Sequence, residues 1–292
     1  MKTLNDYRTE LEKYRSQSKK GIIMLAIGFI LFVPSGAAGF ESGLMFLPFV
    51  MMAIFMAGGI ITGRASSKVK ALSQDYKANL LPKAVESLIP GSTFNIHGGF
   101  DEMEIYRSYV LSEEDRYSSE DLFMGEWDGV GFKTADVVLK DVRSNGKSTT
   151  VVTVFQGRVI RLDFEKPFVT DMCLMQKRYL TTWGFPGYQK IQTESIEFNQ
   201  AFSIISKSDL GAFQLLKPDF MEKLLGLDQR INDRISISFI HNRLYIALNT
   251  NKDTFDFDFK TGIPENPLKE ISENVELIKE LIALFKSKSA FE

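Results

Sequence analysis

An acidic cluster is the first group of side chains in this sequence that is suited to chemistry. It consists of Glu113, Glu114, Asp115, Arg116, Glu120 and Asp121. Carboxylate oxygens are the ligands that Ca²⁺ and Mg²⁺ prefer, so the cluster could hold a divalent cation. Its spacing fits no known cation-binding loop, which makes a solvated acidic loop the simpler interpretation.

Three cations, Arg158, Arg161 and Lys166, could instead bind a phosphate group. They lie on or just after a segment that is predicted to be a strand. Successive side chains of a strand alternate between its faces, so Arg158 and Arg161 point to opposite sides. Anion sites need donors that converge, and this arrangement weakens the phosphate-site hypothesis.

The remaining reactive residues are few. His97 precedes two glycines, which resembles half of an oxyanion motif, but no Gly-x-Ser-x-Gly accompanies it and we interpret it as a turn. His241 is far away in the sequence, and both histidines are expected on the surface or in strands. Cys173 is the single cysteine, so an internal disulfide and a cysteine-based zinc site are excluded. We therefore predict no catalytic residue, cofactor or metal.

The average composition of the whole chain is ordinary. The chain of 292 residues is 44% hydrophobic and 25% charged, with a net charge of −2. Such a balance gives no field that would attract nucleic acid, which we do not expect as a partner. The average conceals a strong segregation, because apolar residues are concentrated between Gly21 and Thr62.

This apolar region predicts a transmembrane hairpin over residues 21–63. One uncharged run extends from Gly21 to Val33 and continues to Ala38, and a second extends from Gly43 to Thr62. A helix of about 20 residues crosses a hydrocarbon core of about 30 Å. The segment Gly39–Ser42 is long enough only for a tight turn, so the two spans must be antiparallel.

Flanking charges predict the orientation of the hairpin. Cations precede the first span and follow the second, whereas the turn carries Glu41 and no Lys or Arg. The flanking cations are Lys13, Arg15, Lys19, Lys20, Arg64, Lys68 and Lys70. Cationic flanks stay on the cytoplasmic side, so we expect a multi-pass protein of the cytoplasmic (inner) membrane with both termini in the cytoplasm. The bilayer is its expected partner, and Arg64, Lys68 and Lys70 are expected near anionic headgroups.

Three alternatives stay open for this region. Residues Met1 to Ala38 could be a signal peptide with a cleavable Gly36–Gly39 segment, although acidic residues precede the apolar run. Both runs could be core helices of a soluble protein. Small residues in the spans, including the pair Gly59 and Gly63, could bring helices of different chains together.

The segments next to the spans predict two helices. Residues 1–20 form a charged helix with an apolar stripe of Leu4, Tyr7, Leu11 and Tyr14. Residues 64–90 form a juxtamembrane helix with a stripe of Val69, Leu72, Tyr76 and Leu80. The three- and four-residue spacing of each stripe is typical of helices that pack together. Pro82 is expected to interrupt the second helix, and the segment Leu88–Gly91 is expected to end it.

Residues 91–292 predict a cytoplasmic α+β domain. Strands are expected at 122–129, 130–142, 149–155, 158–164, 198–207, 235–240, 243–248 and 254–259, with hairpin turns at Asp128-Gly129, Asn145-Gly146, Gln156-Gly157 and His241-Asn242. A loop is expected at 181–187 in a possible seam at 181–190, helices around Pro218, and an amphipathic helix at 268–285. Hairpins in series predict an α+β fold, in which the two-helix transmembrane hairpin precedes a soluble domain with mainly antiparallel sheet and a C-terminal helix.

The order of several segments resembles a bacterial family known as domain of unknown function 3137. The segments include 81–91, 117–125, 155–164 with Lys166 and Phe168, 194–202, 212–224 and 244–248. The resemblance covers most of the chain after Tyr76. It implies a membrane-anchored bacterial protein of uncharacterised function and transfers no catalytic residues. The family is similar in gene context to small membrane-anchored proteins of the LemA type, which implies another membrane protein as a partner.

Three functions are compatible with these observations. The first is an integral membrane protein that presents a cytoplasmic interaction or scaffold domain. The second is a lipid-headgroup sensor, in which a meander of strands is closed by the last helix, as in a pleckstrin-homology barrel. The third is an enzyme whose site cannot be read from spacing.

Overall fold

The structure is a computed structural model of the chain. It describes residues 2–42, 44, 46–176, 186–231, 234–251, 255, 257, 259, 262–263 and 267–286, and for 36–42, 267, 268 and 270 it describes the backbone only. Two compact units are present. The first consists of Met1–Leu80 and Asp256–Pro267, and the second of Leu81–Phe255 and Leu268–Glu292.

Two long helices dominate the first unit. Helix α1 spans Leu4–Ser42 and helix α2 spans Leu47–Leu88. The predicted boundaries between residues 20 and 21 and between 63 and 64 fall inside these continuous helices. The turn predicted at Gly39–Ser42 is wrong, because these residues form the last turn of α1. In the longer helix, the backbone groups of these residues form hydrogen bonds within the helix. The glycine and serine content of the segment does not reveal this pairing.

Three glycines allow α1 and α2 to pack closely. A Cβ on Gly28 would lie 2.7 Å from the backbone nitrogen of Phe55, and one on Gly58 would lie 2.6 Å from the carbonyl oxygen of Gly21. A Cβ on Gly21 would collide with the hydroxyl of Thr62. Helices in lipid associate through such close backbone contact. In this chain, therefore, the small residues bring together two helices of the same hairpin.

The charged ends of α1 and α2 pack on each other through the predicted apolar stripes. The burial of four stripe residues confirms this packing. Tyr7, Leu11, Leu72 and Tyr76 are each at most 3% exposed. The rings of Tyr7 and Tyr76 meet edge to face with centroids 5.6 Å apart. The interruption predicted at Pro82 is wrong, because α2 continues through it and ends at Leu88, within the segment 88–91 where its end was predicted.

A segment far along the chain completes this unit. The ring of Phe257 packs edge to face on Tyr76, with centroids 5.5 Å apart. Its backbone N–H donates to the hydroxyl of Ser73 at 3.4 Å. The guanidinium of Arg15 donates to the carbonyl of Phe259 at 3.0 Å. The described residues of 256–267 thus pack on both helices.

The second unit contains an antiparallel sheet. Its described strands are β1 Thr93–Asn95, β2 Arg116–Trp127, β3 Val130–Ser144, β4 Thr149–Asp163, β5 Met172–Gln176, β6 Gln189–Ile191, β7 Phe202–Ser206, β8 Arg234–Ile240 and β9 Arg243–Asn249. They form one nine-stranded sheet in the order β1-β2-β3-β4-β9-β8-β5-β7-β6. Strands β1 to β4 form a meander. Strands β9 and β8 then lie between β4 and β5, so the simple meander assumed for the lipid-sensor alternative is wrong.

Helices cover both faces of this sheet. They are α3 Glu102–Arg107, α4 Ile196–Ala201, α5 Asp209–Leu215, α6 Pro218–Arg230 and α7 Pro267–Lys286. Helix α3 packs on one face through Ile105 and Tyr106, in a core that includes Val137 and Tyr245. On the other face, the rings of Phe220 in α6 and Phe285 in α7 both contact Phe239. The α+β fold class, with two long apolar helices, an antiparallel sheet and a C-terminal helix, is confirmed.

Three predicted hairpin turns are also confirmed. Asp128 and Gly129 have φ values of 51° and 72°, and they join β2 to β3. Gly146 has φ of 79° between β3 and β4, and His241 has φ of 58° between β8 and β9. Positive φ at these positions matches the twist of tight hairpins, and Gly, Asn and Asp adopt it most readily.

The turn predicted at Gln156-Gly157 is wrong, because β4 is one uninterrupted strand. Gly157 lies opposite Val137 in the middle of the β3–β4 pairing. A Cβ at Gly157 would collide with the carbonyl oxygen of Leu248. The glycine therefore permits a close approach of two backbones rather than a change of chain direction.

Other predicted strands differ in part. The segment 198–207 begins within α4, because the hydroxyl of Ser195 caps that helix by accepting from the N–H of Phe198 at 3.2 Å. Of the predicted strand 254–259, only Phe255, Phe257 and Phe259 are described, and none of them is in a strand. Of the predicted loop 181–187, residues 181–185 lie outside the described residues.

Replacing Gly157 with Ala should destabilise the sheet. The added methyl group forces β4 away from Leu248, which we expect to lower the free energy of unfolding by about 1–3 kcal/mol. Gly226→Ala is the matched control, since nothing lies within 4 Å of a Cβ there. It should stabilise α6 by up to ~1 kcal/mol. Chemical denaturation of the full chain in detergent measures both, and equal stabilities would contradict the close approach.

Candidate functional site

Two carboxylates of the acidic cluster accept structural hydrogen bonds in this structure. The carboxylate of Asp115 accepts from the N–H of Val142 at 2.6 Å, and that of Glu114 accepts from the hydroxyl of Ser112 at 2.7 Å. Glu120 and Asp121 lie inside β2 at a bulge, and Asp121 is fully buried. The predicted loop is therefore wrong for both residues, and of the two only Glu120 is exposed to solvent as expected. In the described part of the chain, no three His, Cys, Asp or Glu side chains are grouped to hold a metal.

Arg158 forms a buried ion pair. Its Nε and one terminal nitrogen both donate to Oδ1 of Asp136 at 3.0 Å, and its other terminal nitrogen donates to Asn274 of α7 at 3.1 Å. The guanidinium also lies 4.5 Å from the centre of the Phe255 ring. Arg158 and Asp136 are 4% and 5% exposed. A cation engaged in this way ties β3, β4 and α7 together rather than offering an anion site.

Arg161 belongs to a separate network on the opposite face. It donates to Glu104 of α3 at 2.6 Å and to Asp163 at 2.8 Å. Lys133 also pairs with Glu104, at 3.3 Å. Lys166 is exposed. The structure therefore places Arg158, Arg161 and Lys166 in three different surroundings and does not bring them together around one anion.

The histidines and the cysteine are also dispersed. His97 is exposed in the predicted turn, where its N–H donates to the side chain of Asn95 at 3.0 Å. His241 is exposed in the β8–β9 turn. Cys173 is fully buried in β5, and its thiol contacts the hydroxyl of Ser238 at 3.4 Å. Burial raises the pKa of the Cys173 thiol to about 12, so the group stays protonated and unreactive at neutral pH.

A cavity of about 170 Å³ lies on the α3-facing side of the sheet, at the N-terminal end of β8. Its lining comes from the segment after α3 and from five strands: Val110, Leu111, Ser112, Leu139, Val154, Phe155, Met175, Gln176, Arg234, Ile235, Ser236, Ala247 and Asn249. Most of these side chains are apolar. A concave apolar surface with a few polar groups is the usual form of a small-molecule site.

Strand pairing fixes which polar groups face the cavity. Ser236 lies opposite both Ala247 and Met175, and Arg234 lies opposite Asn249. Directly paired residues of neighbouring strands share a face, so the side chains of Ser236 and Arg234 project to the cavity side. The sequence did not reveal this site, because its residues are dispersed over six segments. The only local signal is the Ile235-Ser236-Ile237-Ser238 alternation, which places two hydroxyls on one face of a buried strand.

The described elements define a class of protein with two helices long and apolar enough to cross a membrane, followed by an antiparallel α+β domain. Residues 153–287 match the profile of the family described as protein of unknown function (DUF3137). The family resemblance found in the sequence is thereby confirmed for this segment. No curated protein matches the chain.

One solved structure is similar to the chain. It is described as the crystal structure of the mycobacterial trehalose monomycolate transport factor A, TtfA. The similarity covers 66% of this chain and 86% of that chain, with 9% sequence identity and a TM-score of 0.38. Similarity at this level supports no inference about the function of this chain.

Replacing Arg158 with Met should unfold or strongly destabilise the domain. The change leaves the Asp136 carboxylate buried without its cation, which typically costs about 3–5 kcal/mol. Arg243→Met is the matched control. Arg243 pairs with Asp163 at 3.3 Å, but its side chain is 49% exposed, so a loss of no more than about 1 kcal/mol is expected. Thermal unfolding compares the two, and a smaller effect at Arg158 than at Arg243 would contradict the structural role.

Cys173 should resist thiol reagents in the folded protein. Its buried, protonated thiol cannot act as a nucleophile near pH 7. We expect N-ethylmaleimide, followed by intact mass measurement, to add nothing to the native chain and one adduct after denaturation. Rapid labelling of the native protein would show that β5 is open to solvent.

Proposed function

We propose that this chain is a membrane-tethered protein that presents its α+β domain to another protein on the cytoplasmic side of the inner membrane. The observation that carries the proposal is a belt of large apolar side chains on the outside of α1 and α2. Its members are Ile22, Ile23, Ile27, Phe29, Ile30, Leu31, Phe32, Val33, Phe46, Phe49, Val50, Met52, Phe55, Met56 and Ile60, which are between 41% and 77% exposed. Contact of this apolar surface with water is unfavourable, whereas contact with lipid is not.

Burial and length both support lipid as the surroundings of this belt. Only 17% of the apolar window of α1 and 6% of that of α2 is buried. A core helix of a soluble protein is mostly buried, so the low values favour a bilayer. The uncharged part of α1, from Gly21 to Phe40, is about 30 Å long at ~1.5 Å per residue, which equals the hydrocarbon thickness.

The cations at the ends of the spans support the orientation. Contact between Gly21 and Thr62 brings Lys19 and Lys20 of α1 close to the level of Arg64 on α2. No Asp or Glu occurs between residues 13 and 40 or between 42 and 74. The resulting positive collar favours the cytoplasmic leaflet, where each cation gains ~1 kcal/mol from anionic headgroups.

An interaction role is supported by the soluble domain. The groups considered for cation and anion binding, at Asp115, Arg158 and Arg161, are engaged in structural contacts. Large apolar side chains are instead exposed on its short helices, with Ile196 on α4 at 75% and Leu210 on α5 at 70%. A tether in the same bilayer raises the effective concentration of a partner, so weak contacts of such side chains suffice. We therefore propose another membrane protein as the partner.

Fractionation and cysteine labelling together test the tether. The full chain should stay with membranes after an alkaline carbonate wash, and its recovery in the supernatant would overturn the proposal. In a Cys173→Ala background, Leu44→Cys should react with an impermeant maleimide added to intact cells. Ser66→Cys, which is exposed just beyond the second span, should react only after lysis. The reverse labelling pattern would refute the orientation.

A further inference from the structure

We propose that the cavity on the α3-facing side of the sheet binds a compact apolar molecule that carries one uncharged, hydrogen-bonding oxygen, as a phenol does. The site lies wholly within the unit formed by Leu81–Phe255 and Leu268–Glu292. Binding there goes beyond the proposed tethering function and does not depend on it. The ligand is defined by the size of the cavity, by its apolar lining and by one hydroxyl without a partner.

The size and lining of the cavity suit a single ring. Val110, Leu139 and Ala247 are each no more than 1% exposed, and Phe155 and Met175 are also buried. The volume of about 170 Å³ is close to that of an engineered apolar cavity of ~150 Å³ that accepts benzene. One aromatic ring or a chain of about six carbons therefore fills the cavity.

Most polar side chains of the lining are already engaged. Ser112, Gln176 and Asn249 form hydrogen bonds with neighbouring residues of the domain. Arg234, the charged residue of the lining, also has an interaction within the chain. No Asp or Glu is among the residues that line the cavity. We therefore assign the ligand no ionic partner, which points to a neutral molecule.

Ser236 supplies the polar contact. Its oxygen is buried and has no hydrogen-bond partner in the part of the chain that the structure describes, while the residue as a whole is partly exposed. Ser92 and Thr134 carry similar hydroxyls, but these two residues do not line the cavity. Because no hydrogen bond holds its side chain, Ser236 can turn between staggered rotamers and present its oxygen to the cavity. A ligand oxygen there supplies the missing partner of a group whose burial is otherwise costly.

Other classes of ligand fit this site less well. A carboxylate or an ammonium group would lose its hydration against Leu139 and Ala247, where desolvation is costly. A pure hydrocarbon would fill the volume but leave the hydroxyl of Ser236 without a partner. The combination of features thus selects a neutral molecule with a compact apolar body and one oxygen.

Fluorine NMR of 4-fluorophenol tests the assignment. This probe is neutral at pH 7, because phenolic hydroxyls have a pKa of about 10. The full chain is reconstituted in phosphatidylcholine nanodiscs, and empty nanodiscs correct for partition of the probe into lipid. We expect the protein to broaden the fluorine signal in a saturable way.

Two further probes test which chemistry the cavity prefers. Fluorobenzene has the same ring without the hydroxyl and should bind about three- to tenfold more weakly, the effect of losing one hydrogen bond. 4-Fluorobenzoate adds a charge and should bind more weakly than both. The absence of saturable broadening by 4-fluorophenol, or equally tight binding of 4-fluorobenzoate, would overturn the proposal.

Variants locate the binding of these probes. Ala247→Met should abolish it by filling the apolar part of the cavity. Ser236→Ala should weaken the binding of 4-fluorophenol about three- to tenfold and leave that of fluorobenzene unchanged. Thr134→Val is the matched control, since it removes another buried hydroxyl without a partner from a residue that does not line the cavity. It should bind both probes like the unaltered chain.

The comparison of two probes in two variants decides the role of Ser236 even if Ala247→Met does not fold. A preference for 4-fluorophenol over fluorobenzene that survives in Ser236→Ala, or that is lost equally in Thr134→Val, would refute the assigned contact. A folded Ala247→Met variant that still binds 4-fluorophenol would refute the site itself.

Discussion

The exclusion of water from the outer surface of α1 and α2 is the constraint on which the architecture depends. Large apolar side chains cover both helices on the outside, while Gly21, Gly28 and Gly58 bring their backbones together on the inside. In the bilayer that we propose around them, no hydrogen-bond partners are available, so each helix must satisfy its own backbone. This requirement explains why α1 continues through Pro34 and the small residues after it. It also leaves the polar ends of both helices to be stabilised by the Tyr7–Tyr76 contact and by Phe257.

The α+β domain depends on a different interaction, an ion pair buried within its sheet. Arg158 and Asp136 face each other on β4 and β3, and Asn274 of α7 satisfies a further donor. A pair of this kind contributes little net stability but strongly penalises any arrangement that separates its members. It therefore fixes the position of α7 on this face. On the other face the Arg161 network plays a similar part with α3, so the two arginines orient helices rather than ligands.

Local patterns in the sequence predicted the elements governed by local physics. Turn dipeptides such as Asp128-Gly129 placed three hairpins, and helical stripes placed the packing of α1 on α2. The turn predicted at Gln156-Gly157 was wrong because a distant residue decides the outcome there. Gly157 has the composition of a turn, but its role depends on Leu248, which is far along the chain. The cavity around Ser236 could not be found for the same reason, because pairing between β5, β8 and β9 is what assembles it.

The discontinuity of the two units has a consequence for biosynthesis. Residues 256–267 belong to the helical unit, and α7 returns to the unit that contains the sheet. A nascent chain therefore exposes the hairpin first, and the translocation machinery can take it up while the sheet is still unpaired. The aromatic face around Phe239 lacks the cover of Phe285 until the ribosome has made α7. With the proposed tether, insertion into the bilayer precedes closure of the domain, and a stalled or truncated chain would be an anchored protein with an uncovered, aggregation-prone sheet.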